Sequence, residues 1–449
     1  MKYVFIGSLI LLLCLSLFAW MIRPDTMQEG RTALVWVCDD NPVRREQIDL
    51  FNSLNPDLYV TLDPNNADMQ KVIVQSLAGV GPDLFSCYDG IQLSAYVNSG
   101  IAWEVTDKLK QAGIDVENDL WRAADPTFIY EGRVYGFPAN VAVNAVWFNK
   151  DIFDACGIPY PQGERTWEEF IALAQRLTVS DQSGRIGHFG FLFDFITVQH
   201  FLKEWGADVY TKDGARCILD SPEAIAAVQF MRDLIYKYKV SPSPVQEEAM
   251  ATQGGWGMGT ITWFGGGRGA MAQGGRWWLC LLRKYEKLRL GAFAMPHGPA
   301  HKYLGYGKSV LVNKYSPSRD QAFRFLTYMY DKPYNDLVNY QADALAPVKK
   351  YCYTQEYLHD PDYPGEDFNA VWRDIMRYGE PDWVSPFVSG SVVYRILKNQ
   401  LDLVKADQKT PEEAMKTAAR LINEEIRKNL EQNPKLRETY LQLTGKGQE

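Results

Sequence analysis

Residues 33–64 read ALVWVCDDNPVRREQIDLFNSLNPDLYVTLDP, and this stretch decides the fold class. The run ALVWVC is apolar and rich in Val and Trp, which is typical of a buried strand. The turn-forming DDNP follows, and VRREQIDLFNSL then predicts a helix that ends at Asn55-Pro56. LYVTL has the composition of a second strand. The stretch therefore predicts a strand, a helix and a strand in direct succession.

The next residues extend the same alternation. ADMQKVIVQSLAGVG (67–81) predicts a helix that closes at glycines, and PDLFSCY (82–88) predicts a third strand. Such a β-α-β-α-β order implies an α/β protein with a parallel sheet and helices on both faces. Ligands on these sheets usually sit beyond the carboxyl ends of the strands. Asp40, Tyr88 and Asp89 lie at such ends and are candidate site residues.

Later segments add further strands and capped helices. Thr166 with Glu169, and Thr410 with Glu413, have the spacing of a capping box. Ser221-Pro222 has the pattern of an N-cap followed by proline in the first helical turn. The remaining predicted elements are strands in GFLFDF (190–195), LGAFAMPHG (290–298) and SVLVNKYS (309–316), and a helix in RDQAFRFLTYMYD (319–331).

Composition narrows the class of protein. The chain has 449 residues, which is enough for roughly two or three domains. Its net charge of −8 and the lack of a basic stripe disfavour nucleic-acid binding. The seven cysteines show no CxxC pair and no zinc spacing, so we expect no metal site and no cofactor. The 13 Trp and 25 Tyr residues are mostly core, but such rings also serve sites that need flat apolar faces.

The first segment bears on localisation. Residues 4–22 contain no charge, and about twenty apolar residues suffice to span a bilayer. A signal peptide and an uncleaved membrane anchor both fit residues 1–29, so the two alternatives stay open. In either case we expect the bulk of the chain to be periplasmic or otherwise extracytoplasmic.

Several motifs together carry a family resemblance. Their order along the chain resembles that of the extracellular solute-binding proteins of ABC sugar importers, the maltose-binding-protein-like family 1. The matching segments include GVGPDLF (79–85), GRVYGFP (132–138), VWFNKDIFDACGIPYP (146–161), TWEEF (166–170), FLKEWGADVYTKDG (201–214), GRGAMAQGGRWW (267–278) and TPEEAMKTAARLINE (410–424). Together they span nearly the whole chain.

The resemblance implies a periplasmic-binding-protein fold of type II, with two α/β lobes joined by a hinge. Each lobe would be a mostly parallel sheet flanked by helices. The expected first lobe comprises residues 30–138 and 295–343, and the second comprises 139–294 and 344–449. Ligand would bind between the lobes, which close by hinge motion.

The stretch ITWFGGGRGAMAQGGRWWLC (261–280) is expected to belong to the site. The phosphate-binding pattern GxxxxGK[ST] is absent from the chain. In the family, the element that matches Gly269–Met271 starts a helix, and a ligand-facing tryptophan follows it at Trp277 or Trp278. We also expect the glycines of residues 254–267 to let the backbone approach the cleft closely.

The chemistry of a sugar defines the full set of candidates. A pyranose has apolar C–H faces, which aromatic rings cover, and a polar rim of hydroxyls, which Asp, Asn and similar groups hydrogen-bond. The candidate ligand-binding residues are Asp40, Tyr88, Asp89, Asn140, Asp194, Trp263, Trp277, Trp278, Tyr306 and Trp383.

The predicted function is a non-catalytic, monomeric receptor that captures a sugar or oligosaccharide for the permease of an ABC importer. A glycosidase-like enzyme would also need aromatics and two carboxylates in a cleft, so composition alone does not exclude it. A membrane-tethered sensory module is the third class. Members of the family also bind other solutes such as glycerol phosphates, in which case Arg268 and Arg276 would matter more.

Overall fold

The computed structural model describes residues 30–64, 68–180, 186–250, 259–382 and 384–445. The predicted signal peptide or anchor (1–29) and the candidate Trp383 lie outside these ranges. Among the helices within these ranges, none is long and apolar enough to cross a membrane.

The amino-terminal alternation forms as the sequence predicts. Strand β1 (Thr32–Val37) lies between β2 (Leu58–Asp63) and β3 (Leu84–Cys87) and is parallel to both. Helix α1 (Val43–Leu54) connects β1 to β2, and α2 (Met69–Leu77) connects β2 to β3. The α/β prediction from this stretch is therefore confirmed.

Two long strands join this sheet to a second set of strands. The order across the sheet is β2-β1-β3-β11-β6-β9-β8-β7, with β10 on β6 and β12 on β11. Strand β6 (Gly136–Asn149) is buried at all fourteen residues. Its first half pairs with β11, and its second half, from Asn144 onward, pairs with β9 and β10. The other strand bounds are β4 Ile129–Tyr130, β5 Arg133–Val134, β7 Val179–Ser180, β8 Ile186–Leu192, β9 Gly269–Gly275, β10 Leu290–Phe293, β11 Tyr303–Val312 and β12 Gly379–Glu380.

Helices cover the sheet and build the carboxyl-terminal layer. Both predicted capping boxes, at Thr166 and Thr410, are present. The further α-helices are α3 Gly90–Asn98, α4 Thr106–Gln111, α5 Val116–Asp119, α6 Lys150–Ala155, α7 Trp167–Arg176, α8 Val198–Glu204, α9 Pro222–Tyr236, α10 Pro244–Met250, α11 Thr260–Gly265, α12 Leu279–Leu282, α13 Arg319–Tyr330, α14 Lys332–Tyr340, α15 Gln355–Leu358, α16 Ala370–Ile375, α17 Gly390–Lys405, α18 Pro411–Gln432 and α19 Pro434–Thr444. Short 3₁₀ turns span Arg122–Thr127, Arg276–Trp278, Lys349–Tyr353 and Met376–Tyr378.

One local expectation was wrong. The segment from Gly269 does not start a helix but forms β9, which pairs with β6 on one edge and β8 on the other. All seven of its residues are buried. The small residues of this segment fit closely between two neighbouring strands, so tertiary pairing overrides the helical preference of Ala and Met.

A third connection runs beside β6. Leu345 and Val141 exchange backbone hydrogen bonds in both directions, at 2.8 and 3.1 Å between nitrogen and oxygen. Ala342 and Ala344 on this segment have φ values of 57° and 67°, a left-handed conformation that is uncommon for residues other than glycine. Asp343 lies between them and is buried.

Candidate functional site

A cavity of about 500 Å³ opens where the two sets of strands meet. Asn144 from β6, Gln273 and Gly274 from β9, and Leu304 and Tyr306 from β11 line its floor. Five aromatic side chains contribute to its wall. They are Phe193, Trp263, Trp277, Trp278 and Tyr306.

Two glycines at the end of β9 make room for these rings. A Cβ atom on Gly275 would lie 2.5 Å from Cδ1 of Trp277 and 2.9 Å from the hydroxyl of Tyr306. A Cβ atom on Gly274 would lie 2.5 Å from two ring atoms of Trp278. Any larger residue at either position would displace an aromatic side chain, so the glycine pair shapes the cavity.

A chain of hydrogen bonds fixes the polar side of the cavity. The indole N–H of Trp277 donates to the Tyr306 hydroxyl at 3.1 Å, and that hydroxyl donates to Oδ1 of Asn144 at 2.9 Å. Nδ2 of Asn144 lies 3.1 Å from Nε2 of His200. Because Nδ2 can only donate, Nε2 of His200 accepts and the imidazole is neutral.

Burial determines the protonation states of the two titratable groups in this series of hydrogen bonds. It lowers the pKa of His200 to about 4, since the charged imidazolium would lose its hydration without gaining a counter-ion. It raises the pKa of Tyr306 to about 12 for the corresponding reason. At neutral pH both groups are therefore uncharged, and the order of donors and acceptors is fixed.

Charged groups lie at the edge of the cavity. Nζ of Lys405 on α17 lies 2.6 Å from Oε2 of Glu247 on α10, and each side chain is about one-fifth exposed. Burial raises the pKa of Glu247, while Lys405 opposes that shift. Asp194 is exposed beside them, and one of its carboxylate oxygens accepts from the backbone N–H of Ile196.

Half of the sequence-predicted residues converge on this cavity. Asp194, Trp263, Trp277, Trp278 and Tyr306 all line it. The other described candidates, Asp40, Tyr88, Asp89 and Asn140, are not among its lining residues.

The four remaining candidates have local partners. Asp40 is exposed and pairs with Arg45, and Asp89 caps the helix α3 by accepting from the backbone N–H of Gln92. Asn140 is buried in β6 opposite Lys308 of β11. The Tyr88 hydroxyl donates to Asp39 at 2.8 Å, which places Tyr88 in a separate ionic cluster.

That ionic cluster lies at the carboxyl end of β1. Nζ of Lys308 is 3.1 Å from Asp39, and Arg44 bridges Asp39 and the buried Asp343. Burial alone would raise the pKa of Asp39, but Lys308 and Arg44 outweigh it and hold that pKa below its usual range. The two cations and two carboxylates balance, so the cluster connects β1, β11 and the segment that contains Asp343 without a net charge.

Seven polar lining residues were not predicted from the sequence: Asn144, Thr197, His200, Glu247, Thr260, Gln273 and Lys405. Gln273 lies inside the stretch 261–280, and its position next to Gly274 and Gly275 was the signal that the sequence offered. Glu247 and Lys405 are 158 residues apart, and no local pattern connects them.

Fold and site together define a two-lobed ligand-binding protein. The sequence matches the model of the bacterial extracellular solute-binding protein family over residues 27–336, and the chain belongs to that family. Membership implies a location outside the cytoplasm.

Three proteins illustrate the similarity. The sn-glycerol-3-phosphate-binding periplasmic protein of Escherichia coli K12 is 22% identical over 403 residues, which cover 84% of this chain and 88% of that protein. An ABC substrate-binding protein of Listeria monocytogenes in complex with cycloalternan superposes with a TM-score of 0.74 at 21% identity, over 88% of this chain and 98% of the other. The Thermus thermophilus maltotriose-binding protein bound to maltotriose superposes at 0.69 with 23% identity, over 88% and 100%.

Proposed function

We propose that this protein captures a sugar or oligosaccharide between its two lobes and delivers it to the permease of an ABC importer. The observation that carries the proposal is the cavity itself. Five aromatic side chains stand beside hydroxyl, amide and carboxylate groups, which is the combination that the faces and rim of a pyranose need. The maltotriose complex of a structural relative supports the same ligand class.

The proposed lobes are residues 30–138 with 295–343, and residues 139–294 with 344–449. Under these limits Leu304 and Tyr306 belong to the first lobe, while the other lining residues belong to the second. A ligand in the cavity would contact both lobes, and it would favour the closed arrangement because its contacts are more numerous there. The permease would recognise the closed, ligand-bound conformation.

The proposal includes a receptor that acts as a monomer and performs no chemistry on its ligand. The uncharged run at residues 4–22 supports a secretion signal or a membrane tether at the amino terminus. The proposed site residues are those that line the cavity, together with Asp40, Tyr88 and Asp89 on the first lobe, and Asn140 and Trp383 on the second.

Calorimetric titration with maltotriose, cellobiose and xylobiose tests the proposal. We expect at least one of them to bind. We expect Trp277→Ala and Trp278→Ala to weaken binding by about fivefold or more, since each aromatic contact contributes about 1 kcal/mol or more. Trp103→Ala is the matched control, because Trp103 contacts Lys108 and Arg319 away from the cavity and should leave affinity unchanged.

Two results would contradict the proposal. If no sugar in the panel gave a binding heat, sugars would not be the ligands. If affinity were unchanged in both Trp277→Ala and Trp278→Ala, this cavity would not be the binding site. Incubation of the protein with the same sugars, followed by chromatography, should return them intact. Release of shorter products would favour the glycosidase-like alternative.

A further inference from the structure

Helices α3 and α17, which the proposed limits assign to different lobes, both begin with a glycine. A Cβ atom on Gly390 would lie 1.8 Å from Cδ1 and 2.5 Å from Cγ1 of Ile91. A Cβ atom on Gly90 would lie 2.9 Å from Cγ2 of Val384. Each glycine therefore makes room for a branched side chain of the other lobe. We call these four residues the lobe contact.

The two branched side chains of the lobe contact are not used inside their own lobes. Ile91 and Val384 are half-buried, and neither belongs to or packs against the hydrophobic cores that the described residues form. Ile91 instead packs on Gly390, and Val384 on Gly90. Burial of apolar surface between the lobes stabilises the arrangement in which the lobes touch.

Both sides of the lobe contact are held in place by hydrogen bonds. The Ser385 hydroxyl donates to the Gly214 carbonyl at 2.6 Å, and Nδ2 of Asn429 donates to the Phe387 carbonyl at 3.0 Å. These bonds fix the segment before α17 to the second proposed lobe. On the first lobe, Asp89 caps α3 immediately before Gly90. The contact therefore joins two surfaces that are each ordered by their own lobe.

The lobe contact is separate from the ligand cavity. None of its four residues is among the described residues that line the cavity. Lys405, at the opposite end of α17, does line it. Fifteen residues of helix separate Gly390 from Lys405, which is roughly 22 Å at 1.5 Å per residue. A substitution at the lobe contact would therefore change ligand affinity through the arrangement of the lobes.

The free energy of closure enters the affinity for any ligand held between two lobes. When the closed arrangement is the one that binds, the observed Kd equals the intrinsic Kd divided by the fraction of closed protein. A contact made only when the lobes meet raises that fraction and tightens binding without touching the ligand. Loss of the contact should weaken binding by the same factor.

We infer that Gly90, Ile91, Val384 and Gly390 form a reciprocal latch that stabilises the closed arrangement and thereby sets the affinity for the ligand. This inference rests on the proposed function and deepens it, since it assigns control of affinity to residues outside the cavity.

The test uses Gly390→Ala, Ile91→Ala and the double variant, each titrated calorimetrically with the best-binding sugar of the panel (maltotriose, cellobiose, xylobiose). Gly390→Ala places a methyl group where Ile91 packs, so binding should weaken by about tenfold. Ile91→Ala removes the apolar contact and should weaken binding by about fivefold. The double variant should bind about as well as Ile91→Ala alone, because the shortened side chain leaves room for the new methyl group.

Matched controls separate the latch from general effects of substitution. Gly365→Ala adds a methyl group with no other atom within 4 Å, and Val74→Ala shortens a side chain that is 64% exposed. Both should leave affinity unchanged. The Tm of every ligand-free variant should stay close to that of wild type, because the lobe contact lies outside the hydrophobic cores.

The outcomes distinguish the latch from the proposed function. If Gly390→Ala binds sugar as tightly as wild type, or if Ile91→Ala does not relieve its defect, the latch is overturned and the proposed function stands. Weaker binding in Gly390→Ala that the second substitution relieves supports the latch, because only residues in contact across the lobes would compensate in this way. If no sugar of the panel binds, the proposed function is overturned and the inference with it.

Discussion

The neutral His200 makes stability depend on pH in a definite window. Its pKa is about 4 in the folded protein and about 6.5 in an unfolded chain, so the unfolded state binds the proton more readily. Protonation therefore favours unfolding. The stability that the neutral imidazole preserves is fully present above about pH 6.5 and is lost as the pH falls toward 4.

The size of the effect follows from the two pKa values. The difference of about 2.5 between the two pKa values corresponds to about 3 kcal/mol of unfolding free energy, which is lost in full only well below pH 4. Relative to pH 7, the His200 contribution to the free energy of unfolding should fall by about 2 kcal/mol at pH 5 and by about 3 kcal/mol at pH 4.

His200→Gln isolates this contribution from all other titrating groups. A glutamine oxygen can accept from Asn144 in the place of Nε2, but it does not titrate. Guanidinium unfolding followed by tryptophan fluorescence at pH 7, 5 and 4 gives the free energy of each protein. We expect wild type to lose about 2–3 kcal/mol more than the variant over this range. Parallel pH profiles for the two proteins would refute the assignment of a buried, neutral His200.

Two further substitutions test the packing around the site. Gly275→Ala should weaken sugar binding by about tenfold and lower the free energy of unfolding by about 1–3 kcal/mol, because its Cβ would displace Trp277 and Tyr306. Unchanged binding in calorimetry would show that the two rings do not need the space that glycine leaves. Arg44→Ala should lower the free energy of unfolding by about 3–5 kcal/mol, because it leaves buried Asp343 without its cation. Arg45→Ala, which breaks an exposed pair with Asp40, should cost less than about 1 kcal/mol, and equal losses in denaturant unfolding would contradict the difference in burial.

The sequence predicted the fold where local patterns decide structure. Residues 33–64 contain two apolar strands and a helix with clear ends, and the structure has all three. The capping boxes at Thr166 and Thr410 were also predictable from sequence, because the N-cap residue and its glutamate partner lie three residues apart. The family resemblance supplied the two-lobed arrangement, which no single segment specifies.

The parts that local patterns could not predict depend on distant residues. Gly269–Gly275 becomes a strand because β6 and β8 lie on either side of it. The three tryptophans at 263, 277 and 278 were found because rings in a glycine-rich stretch are conspicuous, and all three line the cavity. The polar residues Asn144 and His200 line the same cavity but come from separate elements, and no sequence pattern marks them.

Asp39 illustrates the same limit on the first lobe. Its neighbour Asp40 entered the set of candidates, but Asp40 is exposed and Asp39 is the residue held by Lys308, Arg44 and Tyr88. Two adjacent aspartates after a strand look alike in sequence. Which of them is buried depends on where α1 and β11 lie.

A crystal structure of the protein with the best-binding sugar of the panel tests the central claim most directly. We expect sugar density in the cavity of about 500 Å³, with a ring packed against Trp277 or Trp278. Density for the sugar at any other position, with this cavity left empty, would contradict the account.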